Sequence, residues 1–322
     1  MNEILDLIER VIKIPSITGN LKTTMECFDI YKSIFLNKKI YIREVSNNGY
    51  ISILFSNVDT MSFDVLSVCH TDVVENIEYK MTKKDNIIYG RGVFDMKSFV
   101  IMNLLNLKEL IENNINVKFG VLVVSDEETV DEYGTKYWVE KLGLKSKVVL
   151  DNDSGNGNIT NIIKENLGAI TIKLFNKNVF DKLKTIENIK EKFGEFCCNI
   201  IDNEEIDLYF TGINIENILK KCMYKNTIYK ILMLNNYIKN NINDKYHKSY
   251  KDICEKNGLK INYITSKTTD DSRFFSYKNI NVISHQANGG DFHKSTEWLD
   301  FDSLIMLKNI QLEFLKNINV FC

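Results

Sequence analysis

The residues of this chain that could do chemistry follow directly on short apolar runs. His70-Thr71-Asp72 follows FDVLSVC (63–69), and Ser125-Asp126-Glu127-Glu128 follows KFGVLVV (118–124). Asp151-Asn152-Asp153 follows SKVVL (146–150), and the loop ANGGDFHKSTE (287–297), which holds His293, comes just after NVIS (281–284). Asp95 lies in YGRGVFDMKS (89–98), where a long helical pattern begins. Imidazole nitrogen and carboxylate oxygen are the donors zinc takes, and paired metal ions need one carboxylate to bridge them. Each piece also has a plainer reading. His70 and Asp72 can be a satisfied structural pair, Glu127-Glu128 solvated charge, Asp95 a helix N-cap and Asp151 a turn residue. Those readings weaken when all must hold at successive strand ends.

The elements that must position these residues are legible from periodicity. Ile4, Leu5, Ile8, Val11 and Ile12 recur at helical spacing, so residues 2–13 read as an amphipathic helix that stops before Pro15. Strands are expected at 41–45, 49–55, 63–69, 118–124 and 146–150, with a helix over 97–113. Strands alternating with long helices indicate an α/β sheet with helices on its faces, and ligands in such sheets gather beyond the carboxyl ends of the strands. From about Gly168 the texture changes to a strand (169–175), a Lys/Glu-rich helix (180–194), a strand (206–212) and helical stretches through 257. A short buried strand (281–284) and a closing helix (302–314) follow. The expected domain plan is a catalytic domain in two parts, 1–166 and 266–322, interrupted by a reduced α+β insertion over 167–265.

Composition narrows the function classes. The 322 residues are 44% hydrophobic and 26% charged, as in an ordinary globular protein. A formal charge of -2 leaves no basic excess for a nucleic-acid backbone. No apolar run reaches membrane-spanning length, and the charged N-terminal stretch does not read as a signal-peptide core. Seven cysteines without C-x-x-C spacing fit a reducing cytoplasm. There is a single proline, Pro15, in IPSITGN.

In Ile14-Pro15-Ser16, SVCHTDVV (67–74), YGRGVFDMK (89–97), SDEET (125–129), DDSRFF (270–275) and HKSTE (293–297), the sequence resembles the M20 metallopeptidases. The family includes acetylornithine deacetylase and succinyl-diaminopimelate desuccinylase, and the tail most resembles the desuccinylase branch. The resemblance implies a mixed central sheet flanked by helices, of zinc-exopeptidase type, with a ferredoxin-like insertion. It also implies two zinc ions, for which cobalt or manganese can substitute. By the family pattern His70 binds one metal, Asp95 bridges both, and Glu128 and His293 bind the other. The fifth ligand is an acid just past 146–150: Asp151 by alignment, with Asp153 also open. Asp72 would accept the second ring N–H of His70. Glu127 would be the general base that takes a proton from the attacking water and passes it to the leaving amine. Arg273 would hold a substrate carboxylate, against the reading of a surface arginine. Asn288, Gly289 and Gly290 would shape the pocket, against a plain turn. Of the other histidines, His247 reads as solvent-facing and His285 as a core or supporting group.

The match breaks in the insertion. In the family the insertion usually mediates dimerisation, so a homodimer is the implied assembly, and it carries a His that supports the oxyanion of the partner subunit's active site. The corresponding stretch here, KLFNKNVFDKLK (173–184), has no His. A lost oxyanion donor costs about 10²–10³ in kcat. The implied activity is removal of an acyl group, acetyl or succinyl, from the amine of a small amino-acid derivative. The alternatives are a di- or aminopeptidase of the same architecture, or a non-catalytic relative that binds amino acids or a partner.

Overall fold

The apolar runs become neighbouring strands of one sheet. The computed structural model describes residues 2–129, 132–193, 197–200, 205–267 and 270–318. Among them the elements run, in chain order, α1 (Asn2–Ile12), α2 (Leu21–Ser33), β1 (Tyr41–Asn47), β2 (Tyr50–Ser56), β3 (Ser62–His70), β4 (Thr82–Lys84), β5 (Ile87–Tyr89), α3 (Lys97–Glu112) and β6 (Phe119–Val124). Next come α4 (Thr135–Glu140), β7 (Lys145–Asp151), β8 (Asn161–Asn166), β9 (Gly168–Phe175), α5 (Val179–Phe193), β10 (Cys197–Ile200), β11 (Glu205–Gly212), α6 (Ile215–Cys222) and β12 (Ile228–Asn235). The chain closes with β13 (Ile238–Lys239), α7 (Lys245–Lys256), β14 (Asn262–Ser266), α8 (Arg273–Ser276), β15 (Asn281–Ser284), β16 (Gly289–Gly290), β17 (Trp298–Asp300) and α9 (Phe301–Asn317).

Two compact units result: Met1–Ile163 with Asn240–Ile264 and Asp270–Cys322, and Lys164–Lys239 with Thr265–Thr269. The expected insertion, 167–265, overlaps the smaller unit, while Asn240–Ile264 lies in the larger one. The larger unit holds a six-stranded sheet in the order β1-β2-β6-β3-β7-β15. β6, β3, β7 and β15 are parallel, and the β1–β2 hairpin joins antiparallel through β2. The expected mixed sheet is therefore present. Its order steps to one side of β3 for β6 and to the other for β7, which makes the carboxyl end of β3 a switch point.

Side-chain alternation gives the sheet two apolar faces. Val65 and Cys69 of β3 share a core with residues of α1, α2, α3, α7 and α9. Leu66 and Val68 share the opposite core with Trp138, Phe274 and Phe275 of α4 and α8. Each such side chain contributes about 1.5–3 kcal/mol on burial. α1 stops at Ile12, ahead of Pro15 as expected. Buried Lys97 donates through Nζ to the carbonyls of Val11 (3.0 Å) and Ile14 (2.7 Å), adding to the Ile14 and Ser16 amides that they also accept, and so fastens the chain where the helix ends. α7 corrects one expectation. Lys248, Lys251 and Lys256 take one face, so Tyr246, His247, Tyr250, Ile253 and Cys254 turn inward, and His247 is 1% exposed.

The smaller unit is built from β9, α5, β10, β11, α6 and β12, with sheet order β10-β11-β9-β12 and all pairings antiparallel. That βαββαβ order is ferredoxin-like. Ile170, Ile172 and Leu174 of β9 pack with Ile189 of α5 and Leu219 of α6 in its core. β12 is a strand where the sequence suggests a helical stretch. Its IYKILMLN run has no clean two-residue alternation, its strand is half-exposed, and its register shifts between Ile231 and Met233. No helix among the described residues is long and apolar enough to cross a membrane.

Candidate metal centre

The parallel strands β3, β6, β7 and β15 deliver their following loops to one edge of the sheet. His70 is the last residue of β3 and is buried. Its Nδ1 lies 3.0 Å from the Asp72 carbonyl oxygen. That oxygen only accepts, so Nδ1 carries the proton and Nε2 is the ring atom able to bind a cation. The sequence expected the Asp72 carboxylate in this role, but its Oδ1 stands 3.5 Å away. Asp72 Oδ2 instead accepts from Thr18 Oγ1 (2.8 Å) and the Glu128 amide (3.1 Å). Asp72 thus ties β3 to the loop after β6. Ser16 adds to the same tie by donating through Oγ to the Thr71 carbonyl (2.6 Å), so the segment opened by Pro15 braces the chain beyond His70.

Asp95 is not a helix cap. The N-cap of α3 is Met96, without a side-chain capping bond. The Asp95 carboxylate sits between two imidazoles, with Oδ1 3.0 Å from His70 Nε2 and Oδ2 2.9 Å from His293 Nε2. His293 Nε2 is also 2.9 Å from Glu128 Oε2. Among the described residues two groups offer three ligand atoms within 4.8 Å of one another: His70, Asp95 and Asp153, and Asp95, Glu128 and His293. Asp95 is common to both. Asp153 stands 3.9 Å from His70 Nε2. Asp151, at the end of β7, accepts the Asp153 amide on Oδ1 (3.1 Å) and lies outside both groups. The bond turns the chain so that the second acid, not the first, reaches the histidine.

The electrostatics fit divalent cations. Burial and the charge of Asp153 push the Glu127 carboxyl well above the usual range. Burial likewise raises Asp153 to about 7, against the pull of its bond to His70. Hydrogen bonds to Asp95 and Glu128 lift His293 to about 10. Glu128 Oε1 is buried without a hydrogen-bond partner. Four carboxylates (Asp95, Glu127, Glu128, Asp153) share this space with two imidazoles, an excess of negative charge that two divalent ions would balance. Glu127 Oε2 is 3.9 Å from His70 Nε2, near the donors but in neither group.

The remaining expected residues are placed differently. Arg273 is 4% exposed, donates through Nη1 to the Asp270 carbonyl (2.6 Å), and lies over the Phe274 ring. It is no surface arginine, and the Glu127 charge acts on it while burial lowers its pKa. Asn288 spends its side-chain oxygen on the Ile159 amide (2.9 Å), and its backbone amide donates to Ser303 Oγ (2.9 Å). A Cβ on Gly289 would fall 2.1 Å from the Phe94 ring, so this glycine permits a close approach beside Asp95. Both residues brace the loop that leads to His293. His285 is a satisfied core histidine, with Nε2 2.6 Å from the Ile159 carbonyl and Nδ1 2.9 Å from Tyr250 Oη. Arg91 of the YGRGVFDMK segment and Glu297 of the HKSTE segment have no role that the residue types alone suggest, yet they pair with each other in the fold (2.8 Å).

A mixed α/β sheet gathers His and carboxylate groups at its parallel strand ends, where they could hold metal ions. Residues 66–317, more than half of the chain, match the model of peptidase family M20/M25/M40, and the chain belongs to that family. Acetylornithine deacetylase of Buchnera aphidicola subsp. Schizaphis graminum is 30% identical over 155 residues, covering 44% of this chain and 40% of that protein. Succinyl-diaminopimelate desuccinylase of Nitratiruptor sp. is 29% identical over 150 residues, covering 44% of this chain and 38% of that protein. The chain therefore spans about two-fifths of the length of these curated relatives. A tripeptidase from Staphylococcus aureus shares the fold, with a TM-score of 0.77 over 98% of each chain at 17% identity.

Proposed function

We propose that this chain is a metal-dependent amidohydrolase that removes an acyl group from the amine of a small amino-acid derivative. The observation that carries the reading is Asp95, whose two oxygens reach two different histidines, so that one carboxylate is common to two three-donor groups. His70, Asp95 and Asp153 would hold one zinc ion, and Asp95, Glu128 and His293 the other. Bound there, the ions would polarise the scissile carbonyl and lower the pKa of the attacking water. Glu127 stands beside the donors with a raised pKa and is the proposed general base. It accepts the proton of the attacking water and hands it to the nitrogen of the leaving amine. Arg273, close enough to feel the Glu127 charge, is the proposed anchor for a substrate carboxylate.

The named activities of the deacetylase and desuccinylase relatives support an acyl-amino-acid substrate. The proposed test measures amine release from N-acetyl and N-succinyl amino acids and from dipeptides, with zinc added. Faster turnover of the acyl amino acids supports the deacylase, and faster turnover of the dipeptides would replace it with a peptidase of the same architecture.

A further inference from the structure

We infer that Glu297 is a positioning residue that sets the spacing between Asp95 and His293, and with it the affinity of the metal centre. The inference rests on the metal-centre reading above. Glu297 lies four residues past His293 and is 0% exposed. Its Oε1 accepts from the backbone amides of Gly92 (3.0 Å), Phe94 (2.9 Å) and Asp95 (3.0 Å). Its Oε2 accepts from Arg91 Nη1 (2.8 Å) and again from the Gly92 amide (3.1 Å). The Glu297 carbonyl takes the Gly90 amide (3.1 Å). Three amides of one turn (Gly92, Phe94 and Asp95) thus converge on one carboxylate supplied from within the chain, while the Val93 amide closes the turn on the Gly90 carbonyl.

The turn is shaped for this. Gly90 (φ +148°) and Gly92 (φ +85°) occupy backbone regions that L side chains rarely adopt. A Cβ on Gly90 would fall 2.7 Å from the Lys80 carbonyl oxygen. The 90–95 turn therefore wraps the Glu297 carboxylate and releases the chain at Asp95. On the other side, β16 pairs with β17 and closes the loop that carries His293. One buried carboxylate thus holds the backbone of Asp95 while belonging to the loop of His293. It touches no donor atom of the centre, so its effect passes through the positions of the two ligands.

The test compares the wild type, Glu297→Gln and the double variant Arg91→Met/Glu297→Gln. The double variant removes the buried cation with its partner and supplies the comparison if the single variant fails to fold. Three properties are read on each protein: thermal unfolding without metal, zinc affinity by competition with a chelator, and the visible spectrum with cobalt bound. Folded variants should bind zinc about 10–100-fold more weakly than the wild type and give an altered cobalt spectrum. A folded variant with wild-type zinc affinity and spectrum, changed only in unfolding temperature, would reduce Glu297 to a fold-stabilising ion pair. A wild type that binds no zinc would remove the metal centre itself, and this inference with it.

Discussion

Glu127 and Glu128 are neighbours in sequence but face different partners: Glu128 meets His293 at 2.9 Å, while Glu127 stands 3.9 Å from His70. In the proposed mechanism that difference would separate a ligand from a base. Glu127→Gln should leave zinc affinity within a few-fold of wild type and lower kcat by about 10²–10⁴, read from steady-state hydrolysis; undiminished turnover would remove the assigned base. Asp153 and Asp151 divide in the same way. Asp153→Asn should weaken zinc binding far more than Asp151→Asn in a chelator competition, because only Asp153 belongs to a donor group; equal effects would contradict the placement. Sequence left these two acids open because both lie just past the 146–150 strand. What separates them is a bond from the Asp153 amide to the Asp151 side chain, a turn detail that residue types do not reveal. Glu297 was hidden for a related reason: its partners are backbone amides about 200 positions away, and backbone leaves no mark on spacing.

At the scale of elements, the parallel strands were legible because each is a short continuous apolar run, the pattern of a strand buried on both faces. β12 was not, because its exposed face in the smaller unit removes that signal. The end of β15 also carries a titration. Burial pushes the His285 imidazole down to about 4, partly opposed by its bond to the Ile159 carbonyl, whereas an unfolded histidine titrates near about 6.5. Below about pH 6.5 the unfolded chain takes up a proton that the folded state refuses. Stability should therefore fall from about pH 6.5 to about pH 4 and be independent of this group above that window. The full loss corresponds to about 3 kcal/mol. Urea midpoints measured across pH 4–8 should fall more steeply for the wild type than for His285→Gln; parallel profiles would show that His285 is not the group responsible.

At the scale of the whole molecule, the family, the mixed sheet and the ferredoxin-like unit agree with the resemblance carried by the HTD, YGRGVFD, SDEE and HKSTE segments. Chelation should lower the unfolding temperature, and excess zinc should restore it. At free zinc about 100 times the dissociation constant the gain is about 2.7 kcal/mol, readable by calorimetry; an unfolding temperature indifferent to both would argue against a structural metal load. The central claim is hydrolysis that depends on a pair of metals sharing Asp95. Its most direct test strips the protein of metal and titrates zinc back while following amine release from an N-acyl amino acid or a dipeptide. Activity is expected to climb and level off at two zinc equivalents per chain, and a chain that hydrolyses neither substrate at any zinc loading would contradict the claim.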